Sequence, residues 1–395
     1  MIFLLVVITV LGLIHGYVGL RIIPAFGIHA PWQLIVWIAI ILLAILPISG
    51  PVLRYQGFEN RFTDFLSWIG YTSLGFFFMA FIIILMRDFG FFIWFKGSAL
   101  LHFTDERFFS PERRQVLVYL TNMALLFFTS GLSFFGFYRA RGDAEVVEVD
   151  IPIEDLPAAL EGIRIVQISD IHVGPTIKRD FVERIVRKIS ELNPDIIALT
   201  GDLVDGSVSH LASDVSPLAD LEAPYGKYFI TGNHEYYSGV NHWLKKTHEL
   251  GFKNLINENV SVHIKDAQLN ISGVTDLHAH QVDKSHRTDP EKALSGVSPD
   301  TIKIMLAHQP GSIHDANRLG VHLMLAGHTH GGQFMPFNLA VSAAHPYIAG
   351  KHNHQGTWIY VNRGTGYWGP PLRIGIPNEI TVLTLRKKIS DTLVA

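Results

Sequence analysis

Four uncharged apolar stretches, Met1–Leu20, Trp32–Ser49, Phe65–Met86 and Val116–Tyr138, dominate the first third of the chain. Each approaches or exceeds the ~20 residues that a helix needs to cross a bilayer. In hydrocarbon a segment must satisfy its own backbone hydrogen bonds, so helices are what such stretches can form. Trp32, Trp68, Tyr71 and Tyr138 lie near their ends, where interfacial aromatics sit. The first stretch lacks a positively charged leader and a small-x-small cleavage site, so it reads as a retained span. Phe89–Phe103 is apolar but short and contains Lys96, and reads as an interfacial or re-entrant piece. The expected organisation is a four-helix transmembrane anchor over 1–141, followed by a separate domain over 142–395.

Composition supports an integral, multi-pass membrane protein, with the lipid bilayer as its first partner. The chain has 26 phenylalanines and a mean hydropathy of +0.26. It has no cysteine, which excludes disulfides, thiolate metal sites and cysteine nucleophiles. Residues 1–141 carry 10 Lys+Arg against 6 Asp+Glu, and the remainder 22 against 29, giving +4 and −7. An acidic second part argues against nucleic acid as its main partner.

Four crossings put both termini on one side. That side holds Arg54, Arg61, Arg139 and Arg141, whereas the other holds Arg21, Arg87, Lys96, Arg107, Arg113 and Arg114. The count leans toward an external catalytic domain and leaves the orientation open, because Asp105, Glu106 and Glu112 offset part of it. Spans two to four contain no ionisable residue, and His15 is the only one in the first. Asn122 has the character of helix–helix glue. The bundle reads as an anchor rather than a transport path.

Beyond the anchor the pattern changes. Val146–Ile153 alternates as a strand. Arg164–Ile168, Ile196–Leu199, Tyr228–Ile230, Ile302–Leu306 and Leu323–Leu325 are short apolar runs of the buried-strand kind. Asp180–Leu192 and Trp243–Leu250 have helical spacing. Strands alternating with helices predict a layered α/β domain. Each of the five apolar runs ends in a polar cluster: Asp170 and His172, Asp202, Asn233 and His234, His308, then His328 and His330. Ligands gather at the carboxyl ends of strands in open α/β sheets, so the five clusters can converge.

Seven nitrogen and oxygen donors, Asp170, His172, Asp202, Asn233, His308, His328 and His330, suit manganese, with iron, zinc or magnesium as other candidates. They are too many for one tetrahedral ion but suit two ions sharing a carboxylate, roughly 3.5–4 Å apart. Such a pair lowers the pKa of a shared water and polarises phosphoryl oxygens. Gly201, Gly232 and Gly327 allow the tight turns this needs.

Asp170-x-His172, Gly201-Asp202-x-x-Asp205, Gly232-Asn233-His234-Glu235, His308 and Gly327-His328-x-His330, in that order, resemble the calcineurin-like metallophosphoesterases. The resemblance covers about Arg164–Gln333 and implies a two-sheet β-sandwich flanked by helices that hydrolyses phosphoric esters. It further implies that Asp170, His172 and His330 hold one metal, and that Asn233, His308 and His328 hold the other. Asp202 would bridge, with His234 the catalytic acid and Asp205 orienting its ring. Asn362–Gly366, Pro371–Gly375 and Pro377–Ile380 are similar to a membrane-associated bacterial branch that includes UDP-diacylglucosamine hydrolases. Gly206-Ser207 stands where protein phosphatases carry Arg-Gly, so phosphate-binding arginine must come from elsewhere, and Arg363 and Arg373 are the candidates.

The expected activity is therefore a membrane-anchored phosphoesterase acting on a phosphoester or pyrophosphate substrate, with an amphiphilic, lipid-linked one suggested by the anchor. A soluble nucleotide phosphodiester and a catalytically silent scaffold are the alternatives. Asp276, His278 and His280 read as a solvated loop, and His345, His352 and His354 as a loop at the pocket mouth.

Overall fold

The computed structural model describes residues 2–100 and 111–388. The chain forms two compact units, one comprising 1–138 with 369–372 and the other 139–368 with 373–395. In the first, α1 (Ile2–Ile22), α2 (Trp32–Tyr55), α3 (Arg61–Leu100) and α4 (Pro111–Arg141) supply four helices long and apolar enough to cross a membrane. Gly70 of α3 lies where a Cβ would strike the backbone of Leu46 and Pro47, so its bare Cα is what lets α2 and α3 approach. Phe89–Leu100 is not a separate piece. Helix α3 runs through it without a break, because nothing there is stronger than Gly90 and Gly97 as a helix breaker. Leu101–Phe103 and the stretch with Asp105, Glu106 and Arg107 lie outside the described residues.

The longer helices also bring charge into the bundle. Asp88 of α3 accepts from the Tyr17 hydroxyl at 2.6 Å and pairs with Arg21 at 2.8 Å. Asn122 bonds Arg87 through its oxygen and donates to the Arg21 carbonyl at 3.1 Å, so it ties three helices. His15 stacks on Phe77 with ring centres 4.2 Å apart.

The second unit is an α/β domain of two mixed sheets. The strands are β1 (Glu145–Ile153), β2 (Arg164–Ile168), β3 (Ile196–Leu199), β4 (Lys227–Phe229), β5 (Lys253–Asn254), β6 (Glu258–Ile264), β7 (Ala267–Gly273), β8 (Ile302–Leu306), β9 (Leu323–Ala326), β10 (Gly350–His354), β11 (Thr357–Val361) and β12 (Glu379–Lys387). One sheet has the order β1-β12-β2-β3-β4-β5 and the other β10-β11-β9-β8-β7-β6. Helices α5 (Arg179–Glu191), α6 (Val208–Val215), α7 (Asn233–Ser238), α8 (Val240–Glu249), α9 (Pro290–Ala293), α10 (Ile313–Arg318) and α11 (Phe337–Ala344) complete the unit.

Strands β2, β3, β8 and β9 present apolar residues to both sides, as parallel strands covered on two faces require. Ile165, Ile196, Ile230, Leu269, Ile304, Leu325 and Leu383 form the core between the sheets. Phe181, Ile185 and Ile189, on one face of α5, join Leu211 of α6 and Trp243 of α8 against the outer side of the first sheet. Strand β12 pairs parallel with β1 and antiparallel with β2. Strand β12 thereby lies between β1 and β2, with β1 at the edge of the sheet. Strands β2, β3, β4, β8, β9 and β11 all terminate at one end of this two-sheet body.

Candidate metal centre and active site

Three clusters of metal-ligating side chains assemble at that end: Asp170, His172 and His330; Asp202, His308 and His328; and His172, Asp205 and His234. The Nε2 atoms of His172 and His330 approach to 3.0 Å, and His330 Nε2 lies 3.4 Å from Asp170 Oδ1. His308 Nε2 is 3.2 Å from both Asp202 Oδ2 and His328 Nδ1. Asp202 Oδ2 is also 3.8 Å from His172 Nε2, which places it between the two groups.

What turns these rings inward is the bond each makes with its other nitrogen. His172 donates from Nδ1 to Asp205 at 3.1 Å, and His308 from Nδ1 to the Thr200 carbonyl at 2.8 Å. Each then turns its Nε2 toward the site, the arrangement metal-ligating histidines adopt. His330 is the exception, with Nδ1 facing the Arg373 guanidinium at 3.2 Å. His234 donates from Nδ1 to the same Asp205 oxygen at 2.5 Å, and its Nε2 lies 4.0 Å from Asp202 Oδ2.

Asn233, the first residue of α7, has a buried Oδ1 with no hydrogen-bond partner. A buried, unpartnered amide oxygen costs about 1–3 kcal/mol unless a cation or donor meets it. Together with imidazole nitrogens crowded around the Asp202 carboxylate, it fits a donor set for divalent cations.

Electrostatics follow from burial. Desolvation pushes His330 well below the ordinary imidazole value, with His172 and Arg373 adding to it. Burial likewise takes His328 down to about 3. Both are neutral rings at physiological pH. Burial would raise the Asp202 carboxyl, but His308 and His234 hold it well below the usual carboxylate range. For His234 burial acts downward, yet the charges of Asp202 and Asp205 carry it up to about 9, so it is a protonated ring beside the donor set.

Glycine serves here in two ways. Gly201 adopts φ +90°, whereas Gly327 is needed because a Cβ would strike the Ser169 hydroxyl and the Asp170 carboxylate. Glu235 is a fully buried carboxylate that the sequence reading leaves without a role. It accepts from Asp202 N at 3.0 Å, Leu203 N at 2.8 Å and Gly232 N at 2.7 Å, and so fixes the turn carrying Asp202. Its position at the third residue of a helix behind Gly232 is the capping-box spacing, a signal available in the sequence.

The two arginines separate. Arg363 is part-exposed beside the Gly331 turn, its Nε 3.1 Å from buried Glu379. Arg373 is buried and directs its guanidinium to the carbonyls of His330, Gly364 and Gly366. The residues after β11 brace the first cluster, with Thr365 N and Gly366 N donating to the Ser169 and Asp170 carbonyls at 2.7 and 3.1 Å. Asp276 is buried and accepts from Gln309 at 2.7 Å, rather than lying in a solvated loop. His345 places its ring 5.4 Å from that of His328.

A sulfur-free array of carboxylates, imidazoles and one amide, gathered where two sheets end, defines a metal-dependent phosphoester hydrolase. Residues 163–332 match the family model of the calcineurin-like phosphoesterases. A zebrafish protein named "Transmembrane protein with metallophosphoesterase domain" is 34% identical over 362 residues, 89% of this chain and 80% of that one. Its cattle namesake is 39% identical over 269 residues, 65% of this chain and 61% of that one. An uncharacterized metallophosphoesterase of Helicobacter pylori is 35% identical over 282 residues, 71% of this chain and 74% of that one. The chain belongs to the calcineurin-like metallophosphoesterase family.

Proposed function

We propose that this protein is a multi-pass membrane enzyme that hydrolyses a phosphoester or pyrophosphate bond of a lipid-linked substrate, using two divalent cations, manganese first among them. Asp170, His172 and His330 would hold one cation, Asn233, His308 and His328 the other, with Asp202 shared. When bound, the pair supplies Lewis acidity to the phosphoryl oxygens and a more acidic water.

The chain's own residues do the rest. His234 holds a proton at Nε2 and passes it to the leaving oxygen, and Asp205 fixes the ring by accepting from Nδ1 at 2.5 Å. Arg363 is the arginine available to a phosphate oxygen, and Glu379 orients it. Arg373 acts as a positioning residue, holding the His330 turn through its carbonyl at 3.1 Å.

The observation that carries this reading is the inward convergence of ring nitrogens, 3.0 Å apart at His172 and His330, around the Asp202 carboxylate. Asp202→Asn and His234→Ala test it. Each should cost at least about a hundredfold in manganese-dependent turnover of alkyl phosphoesters, whose leaving oxygen needs a proton. Unchanged turnover in either variant refutes it.

A further inference from the structure

Two aromatic side chains stand against the proton donor. The rings of Tyr237 and Trp368 lie 5.5 and 5.8 Å from that of His234, centre to centre, at interplanar angles of 68° and 75°. In such edge-to-face pairs one ring turns its edge to the face of the other, so the imidazole leaves at least one face of each aromatic ring free. Tyr237 is 68% exposed and Trp368 52%. Scattered exposed hydrophobes are ordinary, whereas two aromatics joined through a reacting group mark a surface that a ligand covers.

Both are held in place by segments that carry candidate metal ligands. Tyr237 follows Asn233 by four residues on α7, which sets the two on one side of the helix. Trp368 N donates to Gln333 Oε1 at 2.9 Å, and the Trp368 carbonyl accepts from Gln333 Nε2 at 3.0 Å. Gln333 is buried and comes directly after the His330-Gly331-Gly332 turn. It sits at φ +58°, a region that most side chains resist and glycine enters freely. A glutamine there, with its amide oxygen and nitrogen both bonded to one backbone, ties Trp368 to the turn that presents His330.

What the two rings meet follows from the position of the proton. In the hydrolysis the water oxygen bonds to phosphorus, the bond from phosphorus to the leaving oxygen breaks, and that oxygen takes the His234 Nε2 proton. The group carried on the leaving oxygen therefore lies beside His234, where Tyr237 and Trp368 stand. Neither ring is charged at neutral pH, so the two recognise shape and π character. A flat aromatic ring stacks on such side chains, whereas a saturated group of the same size gains burial alone.

We infer that Tyr237 and Trp368 form a leaving-group subsite for an aromatic ring. This rests on the phosphoesterase reading above, with His234 as its acid, and names the chemical class that departs from phosphorus.

The test uses the full-length protein in detergent micelles with manganese and two monoesters, 2-phenylethyl phosphate and 2-cyclohexylethyl phosphate. Both leaving groups are primary alcohols of like size with the same need for a proton. The wild type should favour the phenyl ester in kcat/KM by about tenfold, about threefold from each ring. Trp368→Ala and Tyr237→Ala should each lower that ratio about threefold, and Trp368→Phe and Tyr237→Phe should preserve it. The Gln333 bonds go to the Trp368 backbone and both rings are exposed, so these variants should fold, which thermal unfolding verifies. A wild-type ratio near one, or a ratio that either alanine change leaves in place, overturns the inference and leaves the phosphoesterase reading standing. Cleavage of neither ester sinks both.

Discussion

Replacing Asp205 by Asn probes the proton donor, because one carboxylate oxygen serves two rings. Asp205 Oδ1 accepts from His234 Nδ1 at 2.5 Å and from His172 Nδ1 at 3.1 Å. Asn keeps an acceptor but removes the charge. An opposite charge at this distance in a site shielded from water moves a pKa by about 1–3. His234 stands at about 9, held up by Asp202 and Asp205 against burial. Its folded value is therefore raised, and the protonated acid persists until the pH passes through that value. Removing Asp205 lowers it, so the alkaline limb of the pH–rate profile should move down by about 1–3 pH units. Bound cations push His234 the same way in both proteins and do not change the sign.

The assay is kcat against pH for aryl and alkyl phosphates of graded leaving-group acidity, at saturating manganese with occupancy measured. Saturation matters because losing the His172 anchor should also weaken metal binding by about 10–100-fold. For poor leaving groups the rate above the new limb should fall about tenfold for each pH unit by which the limb moves. For p-nitrophenyl esters, whose departing oxygen needs no proton, the loss should nearly vanish. An alkaline limb that stays in place, or an equal loss across all leaving groups, refutes His234 as the acid and leaves Asp205 only its bond to His172.

Stripping metal with a chelator should abolish turnover and lower the unfolding temperature of the catalytic unit, manganese at about 100 Kd restoring roughly 2.7 kcal/mol; an unmoved transition would show that no cation is held in the native state. Glu235→Gln should set an amide N–H against a backbone donor, costing about 1–3 kcal/mol and loosening manganese binding through the Asp202 turn, as read by denaturant midpoint and metal titration. The arginines should part company: Arg363→Ala should raise KM about tenfold with little loss of stability, whereas Arg373→Lys should lower the unfolding midpoint with KM unchanged. A raised KM in Arg373→Lys would return that guanidinium to the substrate.

The strand ends are legible in sequence because parallel strands covered on both faces must be apolar, so Ile165–Ile168 and Leu323–Ala326 stand out and the polar residues after them mark the turns. Convergence of the five clusters follows from that topology. Less can be read where burial is decided by distant partners. Arg373 reads as a phosphate contact until the residues after β11 and the His330 turn surround it with carbonyls. Glu235 looks like one more acidic residue until three amides are found facing it. The pairing of β12 with β1 and β2 joins residues more than two hundred positions apart, which no local pattern encodes. The third span looks shorter in sequence than it is, because Arg87 and Asp88 suggest an end. In the helix Asp88 pairs with Arg21 and Arg87 and accepts from Tyr17, while Arg87 donates to Asn122.

The ligand turns show why their residue types are constrained twice. Asp170, His172, Asp202, His328 and His330 all sit at positive φ, between 51° and 70°. Most side chains resist this region by about 1–2 kcal/mol, and Asp, Asn and His are among the few that enter it readily. Each turn thus folds the chain back at once after a strand, and the residue that permits the turn is also the donor. The two demands separate experimentally at Asp170, whose carboxylate accepts from Ser169 Oγ at 2.5 Å and from His328 N at 3.0 Å. Asp170→Asn retains an acceptor and the tolerance for positive φ but removes the charge. Asp170→Val removes all three. In metal-free protein, Asn should therefore unfold at a higher midpoint than Val by about 2–4 kcal/mol, one part backbone strain and one part the unpaired His328 amide. Both should bind manganese poorly, since the charge is gone in each. Equal stability of the two variants would mean that the turn is held by its surroundings and that Asp170 is present for the metal alone.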